Sequence, residues 1–550
     1  MKKVLASLTT FVLTAALLAG CAGSTSTPTT ASGSTLASSS TPGAATANTN
    51  PIKFNVATIN FGEEPTGRLI QEEWLKKTSE GLGGRKIDID FQYINIADYA
   101  EKLNIMLAGG DLPDAVTIFG IDSSEVNKYG EQGLLVDLNE YKDIMPNYTR
   151  VLKEDKNSDK VVYAANGGLY GFYHVVYAAN PPAINLNMGT GVRGDVLEKL
   201  NQPYPTTQDE FYEVAKALKA KYPDQYPITL IEEWVPIEDT LFKGNHTSGS
   251  RYYNGEKFVY GPLEDSYKEA LQTLNKWYAE KLISPDYFAH TSAEGLASVA
   301  NGTALMAPNI YSDYSGIWKD QYPDQKWVII PNLKNPKYGE PWARFNAQDT
   351  KAKMSAAYSV VVSNKSKVKE DVISVLDMKY DPGVTELLTW GVEGVTFQRK
   401  TDGSRELLPK FKGAKNMEEL ISYGVPAAGR ARSGIFPEPQ DIDMLWVEFG
   451  ASDYIFNGTK VVESPIAQFA RDYPNIGIIN PNTAAPNVQL SADELQKYAN
   501  IMTAVDTFAK EAMVQFIKGE RSFADWDKYL AEINAVGDIN KALDIYNSKL

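Results

Sequence analysis

Cysteine occurs once in the 550 residues, at Cys21, so no disulfide can close within the chain and no pair of thiolates can hold a metal. Histidine is almost as scarce, and His174, His246 and His290 have none of the spacings of metal ligands. Neither a G-x-S-x-G nucleophile elbow nor a P-loop is present, which removes two common signatures of hydrolases. Positive charge is the minority sign: 54 Lys and Arg stand against 69 Asp and Glu, for a net charge of -15. A nucleic acid or an anionic membrane surface would want a basic face, so neither is an expected partner. These scarcities leave a carboxylate enzyme open. A glycosidase needs two acidic groups about 5 to 10 Å apart, and 69 acidic residues are too many to exclude that by counting.

What is present begins with a targeting segment. Lys2 and Lys3 precede an apolar stretch, Val4 to Leu18, too short to span a bilayer. It runs into Leu18-Ala19-Gly20-Cys21, which resembles a bacterial lipobox, where residues 1–20 are removed and Cys21 becomes the lipidated N-terminus. The alternative is an ordinary signal peptide that happens to contain a cysteine. From Ala22 to Asn50 the chain is uncharged Ser, Thr, Ala, Gly, Pro and Asn apart from Leu36. Such a composition cannot bury enough apolar surface to offset the entropy of ordering, so residues 21–50 are expected to be a lipidated cysteine and a disordered stalk. Its random-coil reach is on the order of 30 Å.

The remaining 500 or so residues (roughly, by the size rule for domains) suffice for two sizeable cores. Ile52–Ile59 alternates apolar and polar residues and reads as a strand; a helix carries Leu69, Ile70 and Trp74; Ile87–Tyr93 alternates again. The next stretch, YAEKLNIMLAGGDLPDAVTIFG from Tyr99 to Gly120, organises the others. Leu103, Met106 and Leu107 share a helical face, Gly109 and Gly110 end the helix, Asp111 and Pro113 turn the chain, and Ala115–Phe119 reads as a buried strand. This βαβαβ order predicts an α/β fold with a parallel sheet, and in open sheets of that kind ligands bind at the carboxyl ends of strands. The β-branched run Ala356-Tyr-Ser-Val-Val-Val362 is expected as a further, fully buried parallel strand. Thr207-Gln-Asp-Glu210 and Ser491-Ala-Asp-Glu494 are capping boxes. The second opens a helical C-terminal region with an apolar stripe from Leu495 to Met513, closed by Gly519.

Several of these segments carry a family resemblance. MLAGGDLPDAV (106–116), Leu169-Tyr-Gly-Phe-Tyr173, Val192-Arg-Gly-Asp195 with Pro205-Thr206-Thr207 and its helix, Asn301–Met306 and the tail from Phe516 follow one another in a familiar order. It is similar to that of the extracellular solute-binding proteins of ABC importers. The similarity runs from about Ile52 to Leu550, and is strongest toward long Gram-positive lipoproteins assigned to oligosaccharide import, with alginate-binding proteins more distant. The resemblance implies a two-lobed, type II periplasmic-binding-protein-like fold whose lobes are discontinuous: 51–178 plus 352–402, and 179–351 plus 403–550. Crossovers are expected near Val175–Pro181, Gln348–Ala356 and Arg399–Arg405. It further implies a non-enzymatic monomer, lipid-anchored on the outer face of the cell membrane. Such a protein closes on a carbohydrate, passes it to a permease and needs no cofactor. Two alternatives stay open, a surface glycoside hydrolase or lyase, and a binding lipoprotein for a peptide or other solute.

A sugar-binding cleft needs aromatic faces under the C–H patches of the rings and planar polar groups for the hydroxyls. Trp342 and Trp390 with Glu393 head the candidates, the last two beside glycines that allow close backbone approach. Trp234, Asn309, Tyr311, Trp446, Tyr173 and Asp111 complete the set, each weighed against plain packing. No metal ligand is expected. Many long relatives carry a calcium loop after the helix that follows the Pro-Thr-Thr segment, but Lys221-Tyr-Pro-Asp-Gln-Tyr-Pro-Ile-Thr229 offers one aspartate where calcium takes six to eight oxygens.

Overall fold

In the computed structural model the described residues are 49–60, 68–119, 121, 123–177, 188–231, 237–311, 318, 321–342, 354–411, 417–425, 435, 440–441, 453–464, 486 and 488–550. The segment expected as a lipobox, with Cys21, and nearly all of the expected stalk lie outside them. The first strands in chain order are β1 (Ile52–Asn60), β2 (Ile87–Asn95), β3 (Ala115–Phe119), β4 (Phe172–Tyr177), β5 (Met188–Arg193), β6 (Arg251–Tyr253) and β7 (Phe258–Tyr260). They are followed by β8 (Met306–Tyr311), β9 (Trp327–Ile330), β10 (Met354–Val362), β11 (Phe397–Arg399), β12 (Arg405–Leu407), β13 (Gln440–Asp441), β14 (Asp453–Phe456) and β15 (Val461–Ser464).

Two main sheets result. The first has the order β13-β4-β10-β3-β1-β2 and the second β15-β14-β9-β5-β8. In the first, β1 pairs in parallel with β2 along its whole length and with β3 at Val56 and Ala57. The alternation of Ile52, Phe54 and Val56 puts these side chains inward, while Lys53 and Asn55 stay exposed. The helix Leu69–Gly81 lays Ile70 and Trp74 into the same core. The β-branched strand β10 is central, as its run predicts, but it is antiparallel to both β3 and β4. Continuous β-branched residues report burial on two faces; they carry no information about direction, which is where the expectation of a parallel strand goes wrong.

The second sheet and the C-terminal helices share another core, with Phe211, Leu271, Trp277, Val328, Val505, Phe516 and Tyr529 all almost fully buried. The capping boxes form as the sequence predicts: Thr207 and Ser491 each accept the backbone N–H of the glutamate three residues on, and that glutamate reaches back. Gly519 ends the helix Ala492–Lys518 with φ of 76°, a left-handed conformation that favours glycine. The chain end is pinned by Asn547, whose side chain accepts from Phe258 N–H and donates to Phe258 C=O, extending the β7 edge by one amide. Among the described residues no helix is long and apolar enough to cross a membrane.

Residues Phe411, Leu420, Val425 and Ile435 pack into the core of the first sheet, and β13 pairs with β4. The segment after Arg405 therefore stays with the first lobe as far as Asp441. The third passage between sheets falls between Asp441 and Asp453, later in sequence than Arg399–Arg405. The hairpin β11–β12 is an excursion within the first lobe.

Candidate ligand-binding cleft

Strand direction decides which residues can meet a ligand. β1, β2, β3 and β4 run the same way, so Asn60, Asn95, Phe119 and Tyr177 end together at one edge of the first sheet, beside the start of β10. In the second sheet β5 is antiparallel to β8 and β9, and Met188 at its start pairs with Tyr311 at the end of β8. The segment 178–187 joins Tyr177 directly to Met188, and the passage from Ile330 to Met354 likewise links a carboxyl end of one sheet to this edge of the other. Chain passages thus connect these two edges, which makes the space between them the candidate cleft.

Against that edge the sequence candidates separate. Asn309 and Tyr311 occupy the last positions of β8, at the cleft edge. Trp342 sits on the passage from β9 to β10, but its ring is only 6% exposed. It stacks on His246 with centroids 4.7 Å apart and planes 8° apart, and meets Tyr252 at 5.4 Å. Trp390 is 2% exposed at the end of the helix Pro382–Trp390, against Phe397. Tyr173 is wholly buried in β4, its carbonyl accepting the Tyr380 hydroxyl at 2.6 Å. Glu393 is exposed and pairs with Arg399 at 3.3 Å. Trp234 and Trp446 lie outside the described residues. Asp111 precedes β3, so it stands at the amino end of that strand, a strand's length from the cleft edge.

The carboxylate that matters at that amino end is Asp114. It accepts from Asn55 N–H and from the Ser366 hydroxyl, tying β1, β3 and the residues after β10 together. Sequence reasoning passed over Asn60, Asn95, Phe119 and Tyr177. The signal was available, because the strand-end rule points to the residues that follow a strand and Asp111 comes before one.

Local electrostatics serve the scaffold. Arg193 and Asp195 form a two-pronged pair at 2.8 Å, and Lys326 N–H adds a third bond to Asp195. Burial pulls the Asp195 carboxyl up, but these donors outweigh it and hold it below the usual carboxylate range. In the same way burial raises Glu386 while Arg405 and Arg399 lower it further, so the β11–β12 hairpin is clamped to the helix beneath it. The glycines Gly189, Gly191 and Gly194 have the spacing of a dinucleotide fingerprint. Here β5 is antiparallel to both neighbours, and a Cβ at Gly194 would lie 2.7 Å from Val328 and from the Tyr204 hydroxyl. That glycine serves close packing, outside any βαβ unit.

The loop that follows the helix Gln208–Lys221 is held by a cation of the protein's own. Lys219 Nζ donates to the carbonyls of Pro223 and Gln225, both at 2.8 Å, and lies 4.6 Å from the centre of the Tyr226 ring. Among the described residues no three His, Cys, Asp or Glu side chains come together as a metal site. Lys219→Met should therefore lower stability by about 1–2 kcal/mol, the scale of charge-assisted bonds in a half-buried place, whereas EDTA should leave the melting temperature unchanged. Thermal melts of the parent with and without chelator, and of the variant, check both statements; a chelator-induced drop restored by calcium would contradict the second.

A family model described as bacterial extracellular solute-binding protein matches residues 68–386. The chain belongs to that family. As a solute-binding protein it is 21% identical over 503 residues to the fructooligosaccharide ABC transporter substrate-binding protein FusA of Streptococcus pneumoniae serotype 4, covering 88% of this chain and 87% of that one. It is 25% identical over 367 residues to the polygalacturonan/rhamnogalacturonan-binding protein YtcQ of Bacillus subtilis strain 168, covering 64% and 68%. The alginate-binding protein AlgQ2, in a crystal structure without calcium ion, superposes with a TM-score of 0.69 at 19% identity over 92% of this chain and 98% of that one. FusA of S. pneumoniae in complex with kestose gives 0.69 at 20%, over 90% and 98%. At such identities the structural matches establish the two-lobed fold and nothing finer.

Proposed function

We propose that this solute-binding protein captures an oligosaccharide and delivers it to an ABC permease, held by lipid on Cys21 to the outer face of the cell membrane. The observation that carries this reading is the similarity to FusA over 88% of the chain, joined by YtcQ, since both relatives are named for sugar polymers or oligomers. The ligand bridges the two lobes and selects the closed form, which the permease recognises. Asn309 and Tyr311, with Trp234 and Trp446, are the proposed contacts: aromatic rings under sugar C–H faces and an amide for paired hydroxyls. Trp342 and Glu393 would border the site, and Asn60 and Phe119 would face them from the first lobe. The protein is proposed to act as a monomer and to leave the sugar chemically unchanged.

A thermal-shift screen against neutral and acidic oligosaccharides tests the proposal, because a ligand that binds only the folded chain must raise its melting temperature. At a concentration 100 times the dissociation constant the gain is about 2.7 kcal/mol. A shift produced by peptides and by none of the sugars would overturn it.

A further inference from the structure

Among the described residues, a small cluster of side chains joins the two lobes apart from the chain passages. Val488 and Leu490 pack on the core of the second lobe, while Gln489 between them bonds to the first. Gln489 Oε1 accepts from Asn127 Nδ2 at 3.0 Å, while its Nε2 donates to the carbonyls of Lys160 at 2.8 Å and Val161 at 3.3 Å. Asn127 is completely buried in the helix Ser123–Glu131, which follows β3 in the first lobe. Three residues after Gln489 the helix Ala492–Lys518 begins, and the N–H of Ala492 donates to Glu131 at 3.3 Å. A carboxylate from one lobe thus sits at the positive end of the longest helix of the other.

We propose that Gln489, with Asn127 and Glu131, is a pivot: a fixed non-covalent joint about which the lobes turn when the cleft opens and closes. Three features favour a joint that stays made over a contact that breaks with each cycle. Asn127 is wholly buried and its Oδ1 already lacks a hydrogen-bond partner among the described residues, so separation would cost its Nδ2–H the bond to Gln489 as well, and unmet buried polar groups are costly. Gln489 is bound at three points, so its side chain moves with the first lobe while its backbone moves with the second. The cluster also sits back from the cleft. Asn127 and Glu131 are four and eight residues along a helix that starts beside the carboxyl end of β3, roughly 6 to 12 Å at the rise of an α-helix. A small rotation there becomes a larger movement at the cleft edge. The positioning role does not depend on what the ligand is, so it can fail while the oligosaccharide proposal stands, and the reverse.

The test uses the ligand-free full chain carrying Cys21→Ser, with spin labels on cysteines placed at Lys102 and Lys216, exposed positions in the first and second lobes. Distances between the labels are expected to form a narrow distribution in this background. Gln489→Ala should broaden it clearly, Glu131→Gln should broaden it less, and both should keep a cooperative melt. An unchanged distribution in folded Gln489→Ala would overturn the proposal. So would a distribution that stays narrow and moves to a new distance, because that marks a latch holding one state. If Gln489→Ala does not fold, Glu131→Gln, whose side chain is only partly buried and keeps its shape, carries the same two outcomes.

Discussion

Glu238→Gln is expected to stabilise the protein by about 3 kcal/mol at pH 8 and by almost nothing at pH 4. Glu238 is 4% exposed, near the start of the helix Ile237–Gly244, inside the core of the second lobe. Burial pushes its carboxyl up to about 7 from an ordinary 4.5; Asp239 adds to this, while the Tyr287 hydroxyl at 3.3 Å and the Lys510 ammonium act against it. Below pH 4.5 the group is protonated in both folded and unfolded chains, so it costs nothing. Between about 4.5 and 7 the unfolded chain gives up its proton and the folded chain keeps it. Stability therefore falls as pH rises through that window, and the cost is complete above it. An amide has nearly the same shape and its oxygen can still accept from Tyr287, but it has no charge to bury. Urea unfolding of the two proteins at pH 4 and pH 8 measures the difference. An equal difference at both pH values would show that the ionisation of Glu238 is not its source.

Trp390→Ala should cost about 3 to 5 kcal/mol of folding stability, the range for emptying a buried aromatic site. The ring is buried with Leu387, Leu388 and Phe397 in the core of the first lobe, and the guanidinium of Arg405 lies 5.9 Å from its centre. The carbonyl of Trp390 accepts from the Thr396 hydroxyl at 2.8 Å, which shapes the turn carrying Glu393. Removing the ring opens a cavity under that turn, so the loss should appear in denaturant melts. Molecules that remain folded should bind ligand much as the parent does. A tenfold loss of affinity without loss of stability would mean that the ring leaves its packed position to meet the sugar.

The two tryptophans show where sequence reading stops. Trp390 follows Asp381-Pro382, and the Asp381 carboxylate does accept from Gly383 and Val384 N–H while Pro382 fills the first helical turn. That start signal, with Val384, Leu387 and Leu388 behind it, places Trp390 on a helix and marks its ring for packing. Trp342 has no such signal: its stack on His246 joins residues 96 apart through the fold, and spacing along the chain cannot report it. The local features were legible. β1 and β2 follow from period-two alternation, and the capping boxes and Gly519 follow from bonds made within four residues. Strand direction in β10, the late third passage and the joint at Gln489 depend on distant partners, so no local pattern encodes them. The Lys219 loop lies between these cases. The want of acidic ligands was plain, whereas the lysine that bonds the loop carbonyls becomes visible only once the chain turns back at Pro223.

The central claim is that the lobes close on an oligosaccharide and release it unaltered. A calorimetric titration of the purified chain with the sugar that gives the largest thermal shift, followed by mass analysis of the recovered sugar, tests it most directly. Saturable binding of one ligand per chain and recovery of the sugar at its original mass are expected. Shortened or unsaturated products accumulating with time would contradict it and point to a hydrolase or lyase.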